Sequence, residues 1–214
     1  MGSFFVILGV SKIYLMQLRP HQEKAIKAMS KHDKGQVIVP TGGGKTICMI
    51  HDAIEQFKSD RLKTIVVVAP RILLANQLCE EFLEFIGDVD VLHVHSGETH
   101  HDSTTKSQKI EEWYWASKKH QLIFTTYHSL HKIQNATAML PDTVYFDEAH
   151  NAVQKNFIEA VEHHSMYVVR NFFFTATPKH SYTPFKVGMN DTDIFGGVIC
   201  NVGAPKLVKQ GYIL

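Results

Sequence analysis

Two short stretches of this chain hold residue types that could do phosphate chemistry. Pro40-Thr41-Gly42-Gly43-Gly44-Lys45-Thr46 lies between a β-branched run and a helical one. Its glycines let the backbone fold closely around phosphate oxygens, and a helix beginning at Lys45 adds the positive end of its dipole. Lys45 would place a point charge on β- and γ-phosphates, and the Thr46 hydroxyl would ligate Mg²⁺. Such eight-residue loops usually open on a glycine, where this chain has Val39. The second stretch, Asp147-Glu148-Ala149-His150, directly follows the apolar run Val144-Tyr145-Phe146. A carboxylate at the C-terminal end of a buried strand sits beside the phosphate loop of a parallel sheet. Asp147 is therefore expected to hold Mg²⁺ through water, and Glu148 to orient or deprotonate an attacking water. Alone, two adjacent acids could equally start a solvated helix. Paired with the loop, they imply nucleotide hydrolysis.

The elements that must position these residues follow from the hydrophobic pattern. Strands are predicted at 36–39, 64–69, 89–94, 122–125, 143–146, 167–174 and 198–200. Helices are predicted at 45–57, 72–85, 108–118, 152–164 and 205–210. The 64–69 run is almost entirely Val and Ile, as a strand buried on both faces requires. Strand and helix in alternation mean βαβ units and an α/β fold with a mostly parallel sheet, helices on both faces. Residues 99–107 read as a surface loop, 181–193 show no period, and Gly211-Tyr212-Ile213-Leu214 is strand-like.

Composition bounds the alternatives. The 214 residues are 44% hydrophobic and 20% charged, with a net charge of +1, so no overall basic field announces a polyanion. Any nucleic-acid contacts must be local. Three distant cysteines, Cys48, Cys79 and Cys200, offer neither a disulfide framework nor a zinc spacing. They fit a reducing compartment, cytoplasmic, or nuclear for a eukaryotic or viral host. Among the 14 histidines, the adjacent pairs His100-His101 and His163-His164 point their rings in different directions and make poor chelators. The apolar run 4–10 is far too short to span a bilayer and reads as a buried strand or an artificial chain end.

The order of phosphate loop, Asp-Glu-Ala-His box and downstream Thr175-Ala176-Thr177-Pro178 resembles the first motor domain of superfamily 2 helicases. That resemblance implies a RecA-like P-loop NTPase fold over residues 18–195. Residues 1–17 are then an extension, and 196–214 a link toward a second RecA-like domain. It makes Lys45, Asp147, Glu148 and His150 the catalytic set, with Mg²⁺ on Thr46 and Asp147. ATP would lie on Arg19, Gln22 and Thr41 to Thr46, Gln22 reading the adenine edge as the Q motif does. Pro70, Arg71 and Gln77 resemble motif Ia, Gly97 a small loop, and Thr125, Thr126 and Tyr127 motif Ib; all would touch a nucleic-acid backbone. Thr175 and Thr177 would couple nucleotide state to that groove. The pattern is more similar to the restriction-enzyme, UvsW-like and XPB-like branch than to DEAD-box RNA helicases.

The implied activity is ATP hydrolysis coupled to movement on nucleic acid, DNA more than RNA, with no membrane partner. A nucleotide-switched sensor of duplex RNA, or an RNA helicase, shares the same motifs. A P-loop ATPase acting on other substrates also stays open.

Overall fold

The computed structural model describes residues 17–214; the strand predicted at 4–10 and most of the 1–17 extension lie outside them. Eight strands form one sheet: β1 (Lys34–Ile38), β2 (Thr64–Ala69), β3 (Val89–Val94), β4 (Asp102–Ser103), β5 (His120–Thr126), β6 (Thr143–Phe146), β7 (Arg170–Thr175) and β8 (Val198–Asn201). Their order is β4-β3-β5-β2-β6-β7-β1-β8, and every pairing is parallel. The helices are α1 (Pro20–Met29), α2 (Lys45–Gln56), α3 (Ile72–Leu83), α4 (Ser107–Ala116), α5 (Leu130–Gln134), α6 (Ile158–Tyr167), α7 (Thr192–Phe195) and α8 (Ala204–Lys209).

The sheet is covered on both faces, and strand alternation divides its side chains between two cores. Ile65, Val67 and Ala69 of β2 join Phe172 and Phe174 of β7 beneath α1, α2, α3 and α8. Val66, Val68 and Phe173 face the opposite way, onto α5, α6 and α7. All these strand side chains are fully buried, which is why the sequence gives near-continuous apolar runs rather than an alternating pattern.

One charged group is buried at the end of the sheet away from the phosphate loop. Asp52, on α2, takes a two-pronged hydrogen bond from Arg170 at the start of β7, 2.8 Å from each nitrogen. The Tyr145 hydroxyl of β6 donates to the same carboxylate, and Arg170 stacks its guanidinium 4.8 Å over Phe172. The planar fork satisfies both carboxylate oxygens, which makes a buried anion tolerable.

Several predicted boundaries moved. The helix predicted at 152–164 starts only at Ile158, because residues 149–151 form a 3-10 turn directly after the Asp-Glu pair. The loop at 99–107 contains the short edge strand β4, and α5 was not foreseen, its five residues being too few to show a period. Residues 211–214 form no strand. Instead, Tyr212 packs back on Arg19, whose guanidinium carbon lies 5.1 Å from the ring centre. Within the segment read as a link, β8 pairs with β1 and Leu207 of α8 is buried in the main core, so residues 198–209 belong to this domain's body.

Among the described residues, no helix is long and apolar enough to cross a membrane.

Removing one partner from the buried fork leaves an unpaired charge, so Asp52→Ala should lower unfolding stability by about 3–5 kcal/mol in urea denaturation. A loss below about 1 kcal/mol would show that the fork is not integral. A second expectation concerns acid. His164 is buried, its ring Nδ1–H donating to the Ala160 carbonyl at 2.7 Å, and burial pushes its pKa down to about 4. The unfolded chain takes up that proton near pH 6.5, so stability falls as pH drops from 6.5 toward 4, by about 3 kcal/mol for this residue. His164→Leu should show a correspondingly shallower loss across that window, and an unchanged slope would refute the assignment.

Candidate nucleotide-binding site

Strands β6, β7 and β1 are neighbours in the sheet, so their C-terminal ends line up. From the end of β1 the chain turns through Pro40–Gly44, with the Gly43 N–H donating to the Pro40 carbonyl at 3.0 Å. Gly42 and Gly44 hold positive φ angles of 77° and 80°, which side chains rarely adopt. Gly44 has a second constraint: a Cβ there would run into the Gln22 amide. Helix α2 begins directly at Lys45, so its first N–H groups open on the loop.

From the end of β6, Asp147 and Glu148 reach the same place. Lys45 Nζ lies 3.2 Å from Glu148 Oε1, joining the loop to the acidic pair. Burial, then the neighbouring Glu148 charge, pushes Asp147 up to about 6, and the charge of Lys45 opposes the shift. A hydroxyl at Thr46 and a carboxylate at Asp147 are hard oxygen donors, the kind Mg²⁺ takes. A cation beside Asp147 would also offset the repulsion that raises its pKa. On chemistry, the residues present fit that metal.

His150 and the strand after it complete the cluster. His150 Nδ1 shares a 3.0 Å hydrogen bond with Thr175 Oγ1 and stands 3.5 Å from Glu148 Oε2. Burial holds its pKa below the ordinary imidazole value. Thr175 is fully buried, its hydroxyl also accepting from the Thr177 N–H at 3.2 Å, while Thr177 is exposed. The acidic box and the Thr-Ala-Thr-Pro segment thus touch within this domain.

Helix α1 lies against the loop. Gln22 accepts from the Arg19 N–H at 2.9 Å and donates to the Gly44 carbonyl at 3.3 Å, so the amide expected to read adenine also braces the phosphate loop. Arg19 donates to the Gly42 carbonyl at 3.3 Å. His21, which the sequence reading passed over, makes a 2.6 Å hydrogen bond to the Gly43 carbonyl. Nothing but its position one residue before Gln22 marks it.

The residues read as backbone contacts divide sharply. Arg71, at the N-cap of α3, and Gln77, in the second turn, are exposed, Pro70 is half-buried, and Gly97 lies against Ile72, where any larger residue would collide. The side chains of Thr125, Thr126 and Tyr127 are buried instead. Thr125 Oγ1 donates to the Val94 carbonyl at 2.7 Å, and Thr126 Oγ1 accepts from the Ser129 N–H at 3.3 Å. The Tyr127 hydroxyl donates to the Asp147 carbonyl at 2.8 Å, which braces the acidic box from below. The exposed side chain in that segment is His128.

No curated protein matches the chain. In fold it is similar to the Type ISP restriction-modification enzyme LlaGI, a nuclease-deletion mutant solved with a DNA substrate mimic. That match has 23% identity and a TM-score of 0.76, covering 92% of this chain and 21% of that one. It is similar to the Hef helicase domain of Pyrococcus furiosus at 20% identity and a TM-score of 0.64, over 91% of this chain and 40% of that one. The UvsW helicase of bacteriophage T4 gives 14% identity and a TM-score of 0.57, over 86% of this chain and 60% of that one. The chain therefore spans less than two thirds of each of these chains. The family model of the Type III restriction enzyme res subunit matches residues 15–180, and the chain belongs to that family as a superfamily 2 RecA-like domain.

Proposed function

We propose that this chain is the ATP-binding half of a motor that hydrolyses ATP to move along nucleic acid. The observation that carries this reading is the 3.2 Å approach of Lys45 to Glu148. It brings a phosphate-loop cation and a candidate water-orienting carboxylate together from the C-terminal ends of β1 and β6, which β7 separates. ATP would lie with its phosphates on the loop amides and Lys45 on the β- and γ-oxygens. Bound Mg²⁺, held by Thr46 and Asp147, would supply charge neutralisation of the phosphates. Glu148 would turn from Lys45 toward the attacking water and accept its proton.

DNA is the favoured strand. LlaGI was solved with a DNA substrate mimic and a Sulfolobus solfataricus SWI2/SNF2 ATPase core with double-stranded DNA. Arg71, Gln77, Ser96 and His128 are exposed around the C-terminal ends of β2, β3 and β5, which would suit them to a phosphate backbone without sequence preference. The His150–Thr175 bond is the route by which nucleotide state would reach that surface. A second RecA-like domain, elsewhere in a longer protein, would supply the arginine that stabilises charge on the transferred phosphoryl group.

Lys45→Ala should abolish Mg-ATP binding in equilibrium titration, and Glu148→Gln should keep binding while turnover is lost. Normal hydrolysis by either variant in a protein containing both motor domains would overturn these roles. The 214-residue chain alone, lacking an arginine in trans, should hydrolyse ATP about 10³-fold or more below ordinary motor rates. Robust Lys45-dependent turnover by this chain would show that it completes its own site. Stimulation by duplex RNA and not by DNA would transfer the reading to an RNA sensor.

A further inference from the structure

A cavity of about 730 Å³ opens between α3, β3 and the loop into β4, far along the sheet from the phosphate loop, walled by Asn76, Cys79, Glu80, His93, Gly97 and His101. Cys79 Sγ and one ring nitrogen each of His93 and His101 lie within 4.8 Å of one another. His93 is 0% exposed, and its Nε2 has no hydrogen-bond partner. Asn76 Oδ1 on the same wall is likewise buried and unpartnered, while its amide nitrogen donates to the Glu98 carbonyl at 3.0 Å. Each such orphan is unfavourable unless something satisfies it. Two around one cavity point to a ligand.

The wall chemistry says which kind. It holds a thiol, imidazoles and the carboxylates Glu80 and Glu98, with no lysine or arginine among its described residues. An anion would find no counter-charge there, whereas a thiolate with two imidazoles is a zinc-type ligand set. We propose that Cys79, His93 and His101 bind a zinc ion, with a fourth position facing the cavity where Asn76 and Glu80 carry oxygens. On tetrahedral zinc, sulfur and nitrogen ligands stand roughly 3.3–3.7 Å apart, so the cluster closes by no more than about 1.5 Å. His101, on the loop, supplies most of that movement.

The protons balance as follows. Gly97 N–H donates to His95 Nδ1 at 3.2 Å, which leaves the proton of neutral His95 on Nε2, 3.0 Å from His93 Nδ1. Zinc on His93 Nε2 moves the His93 proton to Nδ1, and that bond reverses, with His93 donating to His95. His95 then carries its proton on Nδ1 and releases the Gly97 N–H. Cys79 loses its thiol proton to solvent, one proton per ion bound. Zinc would thus clasp α3, which begins after Arg71, to the Gly97 loop, and free a backbone N–H there.

The test is titration of the metal-free 214-residue chain with Zn²⁺, with Co²⁺ as the spectroscopic probe. One equivalent of zinc should bind, and the cobalt form should show a thiolate-to-metal charge-transfer band with intense tetrahedral d–d absorption. Cys79→Ala should abolish that band, and Cys200→Ala should leave it unchanged. His101→Ala, a loop change that keeps the test open if the Cys79 variant misfolds, should weaken zinc by more than the roughly 10–100-fold that loss of an outer-shell partner costs. No stoichiometric zinc, an octahedral cobalt spectrum, or binding that survives both ligand variants would overturn the proposal. None of these readouts depends on nucleotide binding.

Discussion

The two-pronged bond between Asp52 and Arg170 is the constraint on which the rest of the site depends. Asp52 lies in the third turn of α2, whose first residue is Lys45, and Arg170 starts β7, whose last residue is Thr175. Tyr145, the third partner, stands two residues before Asp147. Helix α2, β6 and β7 are thereby tied together at one end, and each delivers a reactive residue at the other. Rigid elements fixed at one end position groups at the far end better than loops do, because so few dihedrals lie between anchor and side chain. The anchor is buried and charged, so it tolerates loss of a partner poorly. It also admits few alternative packings of the three elements.

The strand order supplies the remaining geometry. With β7 between β6 and β1, the acidic box and the phosphate loop are separated by one strand, wide enough for a triphosphate and its cation. Thr175 occupies the strand in between, so its hydroxyl can meet His150 without either leaving its element. His150 touches Thr175, and Thr177 beyond it is exposed, so contacts run without a break from the acidic box to the surface.

Legibility in the sequence followed the distance over which a signal is encoded. The phosphate loop was readable because glycine spacing, lysine and helix start are contiguous; the parallel sheet was readable because strands buried on both faces are apolar throughout. The Asp-Glu pair gained its meaning only from the loop. The burial of the Thr125, Thr126 and Tyr127 side chains was not readable, because polar side chains at a strand end can serve the interior as readily as a ligand. Burial decides between these, and no local pattern encodes it. Cys79, His93 and His101 were invisible for the converse reason: their separations match no metal motif, and only the packing of α3 beside β3 brings them together. His21 and the Asp52 fork are cases of the same kind, partners far apart in sequence joined by the sheet.

Glu148 shows how the backbone itself serves the site. Its φ of 46° places it in the left-handed region, where a side chain with a Cβ costs roughly 1–2 kcal/mol. The conformation ends β6 and turns the chain at once into the 149–151 turn. The Asn151 amide donates to the Glu148 carbonyl at 2.9 Å, and Lys45 holds the carboxylate at 3.2 Å, so contacts on both sides fix the strained residue. An extended Glu148 would continue the strand and carry the carboxylate away from the loop. A glycine would adopt the same backbone without strain but would have no carboxylate. The strain at Glu148 therefore falls where the turn and the acid are both required, and it is the feature that places an acid within reach of the loop lysine.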